Sequence, residues 1–419
     1  MQIGIIGLGY VGLPLAVAFS EYFDVYGFDT NKDRILEILN GNDHNNEISD
    51  KTLKKSLNTK LKITDDASYL KKCNIYIVTV PTPVDENFKP DLSLLCKASE
   101  EVGKLLKIGD IVVYESTVYP GTTEEVCIPI LESYSKLKCG SEFDVGYSPE
   151  RISPGDKKNT LKTVKKIISA NSQSALEKIQ TVYESIIDAG TYSAENIATA
   201  EMSKVVENAQ RDINIAFMNE VSKICNSMGL NTQKVLEVAK TKWNFIDFHP
   251  GLVGGHCIGV DPYYLIHRAK SLKIKTDLLS ISRSINESMV AYVENKIWEV
   301  ICRKNKNLKT LKVLILGLTF KPNVPDFRNS KSIEIVRAML KKNQFESIDL
   351  VDPYYAQLDT LNDFTVLEFP QFENYDVCVI LTPHNVFNQD ERYSKYVHSE
   401  ECYIVDLYGA FNSKTLFLL

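Results

Sequence analysis

The chain has 419 residues, 44% hydrophobic and 24% charged, a balance that fits two or three globular domains and excludes low-complexity or solenoid-repeat architectures. Its 48 basic and 54 acidic side chains give a net charge of −6, which argues against a nucleic-acid surface and requires local cations for any anionic ligand. No apolar run reaches the roughly eighteen residues of a membrane span, and the opening Met-Gln-Ile-Gly-Ile-Ile-Gly is a strand entering a glycine turn rather than a signal peptide, so a cytoplasmic protein without membrane partners is expected.

The first strand, Ile3 to Ile6, runs into Gly7-Leu-Gly9-Tyr10-Val11-Gly12 and an apolar helix from Leu13 to about Glu21. A second strand, Val25 to Phe28, ends in Asp29. Glycines let backbone approach a pyrophosphate, the helix N-terminus attracts its charge, and an acid at the end of the second strand accepts from a ribose diol. Because that acid also repels a 2′-phosphate, the site is read as one for NAD rather than NADP.

Three more strands follow, Asn74 to Val80, Ile111 to Glu115 and Phe143 to Tyr147. They lead into Pro81-Thr82-Pro83, Ser116-Thr117 and Ser148-Pro149-Glu150-Arg151, loops that should line one crevice beyond the carboxyl ends of a sheet. Thr117 and Glu150 are the candidate chemical participants; alternatively, the prolines only shape turns and Glu150 caps a helix.

From about Asn196 to Met228 apolar residues recur at helical steps, which predicts a helix on the order of 50 Å long. Lys204 and Asn208 share one face, a solvated stripe or part of a site. A second helical pattern covers about Thr276 to Lys304, and long helices of this kind suggest a homodimer.

Between them, Val253-Gly254-Gly255-His256-Cys257-Ile-Gly259-Val-Asp261 places one cysteine among glycines. Unobstructed amides around a thiol suit covalent catalysis and oxyanion stabilisation, with Asp261 available to orient a water or a base. The nine cysteines are widely spaced without a C-x-x-C pair, so they read as reduced thiols and no metal site is expected.

At Leu311 the chain begins a second α/β unit, with strands at Lys312 to Leu316, Ser347 to Val351, Asp376 to Leu381 and Tyr403 to Leu407 and a helix from Ser330 to Lys341. Its first loop has a single glycine and two cations, Lys321 and Arg328, which suit a different phosphate ligand. The fold class is therefore α/β: two Rossmann-like doubly wound domains joined by a long central helix and a helical dimerisation region.

With these motifs in order, the chain resembles the nucleotide-sugar 6-dehydrogenase family over essentially its whole length. Gly-Gly-His-Cys257-Ile-Gly-Val-Asp261-Pro, Ala-Glu-Met-Ser-Lys204-Val-Val-Glu-Asn208, and Phe320-Lys321 followed by Asp326-x-Arg328-x-Ser330 carry the resemblance. It implies an NAD-binding domain over 1–195, a central domain with the cysteine loop and dimer interface over 196–305, and a UDP-sugar-binding domain over 306–419. It also implies oxidation of a sugar C6 hydroxymethyl to a carboxylate by two hydride transfers, with Cys257 carrying a thiohemiacetal and then a thioester.

Lys204 and Asn208 would stabilise the alkoxide and oxyanion, while Asp261, Thr117 and Glu150 hold or activate water. The fingerprint residues, Asp29, Arg34, Pro81, Thr82, Thr117 and Arg328 would serve the cofactor. Glu150, Arg151, Ile152, Ser153, Lys204, Asn208, Phe248, Gly254, Gly255, Phe320 and Lys321 would serve the substrate. The stretch Ser148-Pro-Glu150-Arg151-Ile-Ser-Pro resembles the N-acetylhexosamine branch, whose UDP-N-acetylglucosamine or galactosamine members feed capsule or O-antigen synthesis. His249 departs from the small hydroxyl residue expected there. UDP-glucose or UDP-N-acetylmannosamine remains an alternative substrate. A two-electron β-hydroxyacid dehydrogenase and a non-catalytic NAD sensor are the competing classes.

Overall fold

The computed structural model describes all residues except 153–155, 157, 305–307, 343, 356–365, 373–374, 398–401 and 412–418. The chain divides into two units, Met1–Asn208 with Tyr263–Lys275, and Ala209–Pro262 with Thr276–Leu419.

The first unit opens with β1 (Gln2–Ile6), α1 (Gly12–Phe19), β2 (Asp24–Phe28), α2 (Lys32–Leu39), α3 (Asp50–Leu57) and β3 (Leu61–Thr64). It continues with β4 (Ile75–Val78), α4 (Ser93–Gly103), β5 (Ile111–Tyr114), α5 (Ile128–Ser135), β6 (Asp144–Tyr147), β7 (Lys166–Ala170), α6 (Gln173–Glu184) and β8 (Thr191–Ser193). Among the described residues these strands form one sheet in the order β3-β2-β1-β4-β5-β6-β7-β8. Pairing is parallel except between β6 and β7.

The central strands are apolar throughout because both faces are covered. Ile3, Ile5, Ile75 and Ile77 meet α1 residues such as Leu13 and Ala16 in one core, while Ile6, Val78, Val112 and Tyr114 enter the other. The order of strands reverses at β1: β2 and β3 lie on one side, β4 and its successors on the other. Loops leaving β1 and β4 therefore part, opening the crevice that such sheets use for ligands.

Next come α7 (Ile197–Met228), α8 (Thr232–Ala239), α9 (Asp261–Ser271) and α10 (Asp277–Lys304). After them lie β9 (Lys312–Leu316), α11 (Lys331–Lys342), β10 (Ser347–Val351), β11 (Val366–Leu367), β12 (Val377–Ile380), α12 (Asn385–Gln389), α13 (Glu391–Val397) and β13 (Tyr403–Asp406). The second unit's sheet runs β11-β10-β9-β12-β13, all parallel, and reverses at β9 as the first does at β1.

The two Rossmann-like folds repeat one turn. Gly7 and Gly317 both have positive φ, +93° and +86°, and the next amide, of Leu8 or Leu318, donates to the aspartate ending the second strand, Asp29 or Asp352. Asp352 is fully buried and also accepts from the Thr319 and Tyr354 amides, with the His384 ring 3.2 Å away. Asp29 stays partly exposed. Only the first turn thus presents its acid to a ribose diol.

Among the described residues none of the nine cysteines forms a disulfide. Among the described residues no helix is long and apolar enough to cross a membrane.

Candidate active site

In the first unit each fingerprint glycine answers a different constraint. Gly7 needs its positive φ; a Cβ on Gly12 would lie 1.8 Å from the Gly7 carbonyl oxygen; Gly9 faces open space. The N-terminus of α1, preceded by Tyr10 and Val11, has no side-chain cap, which suits that end of the helix to an anionic ligand. This cradle, with Asp29 beside it, fits the pyrophosphate and ribose of NAD.

Arg34 lies buried beneath the turn. Its Nε donates to the Leu8 carbonyl at 3.0 Å, and its other nitrogens pair with Asp43 at 2.6 Å and Glu37 at 3.0 Å. The side chain braces the glycine loop from below.

The loops after β4 and β5 are laced together. Thr82 Oγ1 donates to the Thr117 carbonyl at 2.6 Å, Ser116 Oγ to the Val80 carbonyl at 2.6 Å, and Tyr264 OH to the Thr82 carbonyl at 2.6 Å. Pro81 stands exposed at the loop surface and Thr117 is partly buried. Sequence reasoning passed over what fixes the far end of the second loop. Glu201, fully buried on α7, accepts from the Gly121 amide and from both the amide and hydroxyl of Thr123. Burial pushes its carboxyl up to about 7 against those three hydrogen bonds, which favour the charge.

About one and two turns further along α7 sit Lys204 and Asn208, both buried. Glu150 caps no helix. Its Oε1 accepts from the Arg151 and Ile152 amides, each at 2.6 Å, and its Oε2 lies 3.4 Å from Lys166 Nζ. Burial opposes its charge, but Lys166, the Ile152 and Arg151 amides and Lys204 together hold the carboxyl below its ordinary value. The Arg151 guanidinium forms an ion pair with Glu207 at 2.8 Å. Ser153 lies outside the described residues.

In the second unit the cysteine loop folds onto the loop that follows β9, bringing two of the sequence motifs together. Gly255 has φ +76°, and a Cβ there would lie 2.8 Å from the Phe320 ring; on Gly254 it would lie 2.7 Å from the Asn329 carbonyl. Asn329 Nδ2 donates to the Gly255 carbonyl at 3.2 Å. The glycines are therefore needed for close approach. Cys257, partly buried, turns the chain into α9: its carbonyl accepts from the Val260 amide at 3.1 Å and the Asp261 amide at 2.9 Å. Asp261 is buried at the first position of that helix.

A buried polar chain supports this loop. Asn219 exchanges hydrogen bonds with the backbone of Gly251, donates to Asn286, and Asn286 donates to Asp212, which pairs with Arg283. Arg283 lies almost fully buried, with its guanidinium 3.9 Å from where a Cβ on Gly259 would sit.

Lys321 carries its ammonium over the Phe320 ring, 5.7 Å from the centroid. Arg328 forks onto Asp326 at 2.9 and 2.6 Å; burial opposes that carboxyl's charge, but the guanidinium holds it below its ordinary value. Phe248 is partly buried in the loop before the cysteine motif. Next to it, His249 is exposed and lies 3.1 Å from Asp247, which also pairs with Lys240 at 2.8 Å. The unexpected histidine thus meets a surface ion pair. A cavity of about 300 Å³ opens beside it, lined among others by Lys240, His249, Pro250 and Tyr408.

The NAD binding, central and UDP binding domains of the UDP-glucose/GDP-mannose dehydrogenase family match residues 1–187, 198–288 and 314–413. The chain is 46% identical over 389 residues to the UDP-N-acetyl-D-glucosamine 6-dehydrogenase of Pseudomonas aeruginosa, covering 92% of this chain and 91% of that protein. It is 43% identical over 417 residues to Protein CapL of Staphylococcus aureus, covering 99% and 97%. The solved UDP-D-ManNAc dehydrogenase of Pyrococcus horikoshii superposes with a TM-score of 0.88 at 32% identity, covering 100% of this chain and 98% of that one.

Proposed function

The chain belongs to the UDP-glucose/GDP-mannose dehydrogenase family, and from that premise we propose that it oxidises C6 of a UDP-N-acetylhexosamine, UDP-N-acetylglucosamine or its galactosamine epimer, to the uronic acid. That it is an NAD-dependent nucleotide-sugar dehydrogenase follows from the family itself. The N-acetylhexosamine assignment is supported by the Ser148-Pro-Glu150-Arg151 stretch and by the P. aeruginosa relative.

The observation that carries a four-electron reaction is Cys257, partly buried at the turn into α9 in a loop whose glycines pack closely on Phe320 and Asn329. Bound NAD supplies the hydride acceptor, one molecule for each oxidation. As the first hydride leaves C6, the hydroxyl proton is lost and the Lys204 ammonium and Asn208 amide stabilise the alkoxide. Cys257 sulfur then bonds to the aldehyde carbon and its proton passes to the carbonyl oxygen, which prevents escape of the aldehyde. Loss of the second hydride and of the hydroxyl proton leaves a thioester. Water oriented by Glu150, Thr117 and Asp261 adds to that carbonyl, the carbon–sulfur bond breaks, and the thiol is restored. One alcohol, one water and two NAD⁺ give one carboxylate, two NADH and three protons.

Lys321, with Phe320, provides the cation for the sugar-nucleotide phosphates, and Arg328 would serve the cofactor. Phe248 and its loop take the base. A nucleotide-activated uronic acid of this kind would be made in the cytoplasm and would feed capsule or O-antigen synthesis. Apolar side chains left exposed on α7 and α8 support a homodimer.

The test is to supply NAD with UDP-glucose, UDP-N-acetylglucosamine, UDP-N-acetylgalactosamine and UDP-N-acetylmannosamine separately and to count NADH per sugar. Two NADH from the glucosamine or galactosamine derivative is expected. A single NADH from every sugar would remove the thioester route and return the two-electron class.

A further inference from the structure

Three ionisable groups outside the motifs converge beneath Glu150. Lys166 is the first residue of β7, antiparallel to the β6 strand that leads into the Glu150 loop, and only 4% of its side chain is exposed. Its Nζ lies 2.7 Å from Glu115 Oε2, at the end of β5, and 3.4 Å from Glu150 Oε2. Tyr183, from α6, donates its hydroxyl to the other oxygen of Glu115, and its ring lies 5.5 Å from the Lys166 ammonium.

We propose that Lys166 is a positioning residue for Glu150: shared between two carboxylates, it keeps Glu150 ionised and turned to hold the hydrolytic water. The inference rests on the role given to Glu150 above and deepens it. Buried ion pairs return little stability on their own, because desolvation offsets their attraction. The link from the Lys166–Glu115 pair to a candidate catalytic carboxylate is what such a pair alone would not require.

The charges around Glu150 come from every element packed against it. Lys204 faces it from α7, Lys166 from β7, and the Arg151 and Ile152 amides from its own loop, while the Arg151 guanidinium is turned to Glu207 and to the Lys165 carbonyl. Glu115 is the deeper carboxylate. Burial raises its carboxyl, Lys166 opposes that rise, and the charge of Glu150 adds to it. For Lys166 burial opposes the charge, and Glu115 and Glu150 outweigh it, raising its value. The cluster thus opposes the charge of Glu115, the deeper carboxylate, and favours that of Glu150.

The experiment is the pH profile of kcat for the wild-type enzyme, Lys166→Met, the double variant Lys166→Met/Glu115→Gln, Lys166→Arg and Glu150→Gln. The double variant removes both partners of the buried pair, so that no lone charge remains to unfold the unit. Its acid limb is expected to move up by about one unit or more while KM changes less than about threefold, and Lys166→Arg is expected to restore the limb. Glu150→Gln should lose about 10²–10⁴ in kcat and the limb with it. A folded double variant with an unmoved limb, or a Glu150→Gln enzyme that keeps it, overturns the proposal. The NADH count on wild-type protein separates the two readings. Two NADH per sugar with an unmoved limb sinks the positioning role alone, and a single NADH sinks the water-holding role with it.

Discussion

A thiol with a pKa of about 8.5 is only a few per cent thiolate at neutral pH, so what distinguishes a catalytic cysteine is its surroundings. Cys257 is partly buried at the turn into α9, whereas Cys73, Cys127 and Cys378 are fully buried, and burial pushes the thiols of Cys73 and Cys127 up to about 12. Cys257→Ser is expected to lower NADH production by about 10³-fold or more at unchanged melting temperature, measured at saturating substrate. Lys204→Ala should cost about 2.7–4 kcal/mol of transition-state stabilisation and leave a crippled enzyme. Undiminished turnover by the serine variant would sink the covalent route. Cys257, Lys204 and Asn208 stand out as candidates in the sequence because glycines or polar residues interrupt an apolar pattern there. Lys166 and Glu115 were not: one charge at the end of an apolar strand reads as a solvated terminus, and only the folded sheet brings the two together.

At the scale of elements, α7 does more than carry Lys204. Through Glu201 it holds the loop leaving β5, the loop that begins with Thr117. Because burial raises Glu201 from the ordinary 4.5 to about 7, the folded protein keeps a proton between those values that the unfolded chain has released. Raising the pH through that window therefore removes stability, on the order of 3 kcal/mol for this group, with no further loss above it. Melting temperatures of wild type and Glu201→Gln at pH 5, 6, 7 and 8 should diverge, the wild type falling relative to the variant up to pH 7. Parallel curves would show that Glu201 has no such titration. The motif around Lys204 was read for its lysine and asparagine, since an acid three residues away on a helix looks like solvated surface. Strands β1, β2, β9 and β10 were legible from apolar runs. Strands β3, β7, β8 and β11 were passed over because each is only two to five residues long and is partly polar or partly exposed.

For the whole molecule, two α/β units follow from the repeated strand-and-helix alternation, and their different ligands from the turn after the first strand. Neither needs a second chain. The proposal of one rests on the second unit's surface, where Phe217 and Ile224 on α7 are 57% and 58% exposed, Val238 on α8 71%, and Trp243 91%. Scattered apolar exposure is ordinary, but the proposed homodimer would bury side chains of this kind, since permanent dimers have the more hydrophobic interfaces. Light scattering at micromolar concentration should thus give twice the 47.3 kDa chain mass. Phe217→Asp with Val238→Asp places two charges where the apolar contact would form, and should yield the single-chain mass with both units still folded. A wild-type particle of 47.3 kDa would mean that these side chains meet water in the active enzyme, and would leave the long helix with intramolecular work alone.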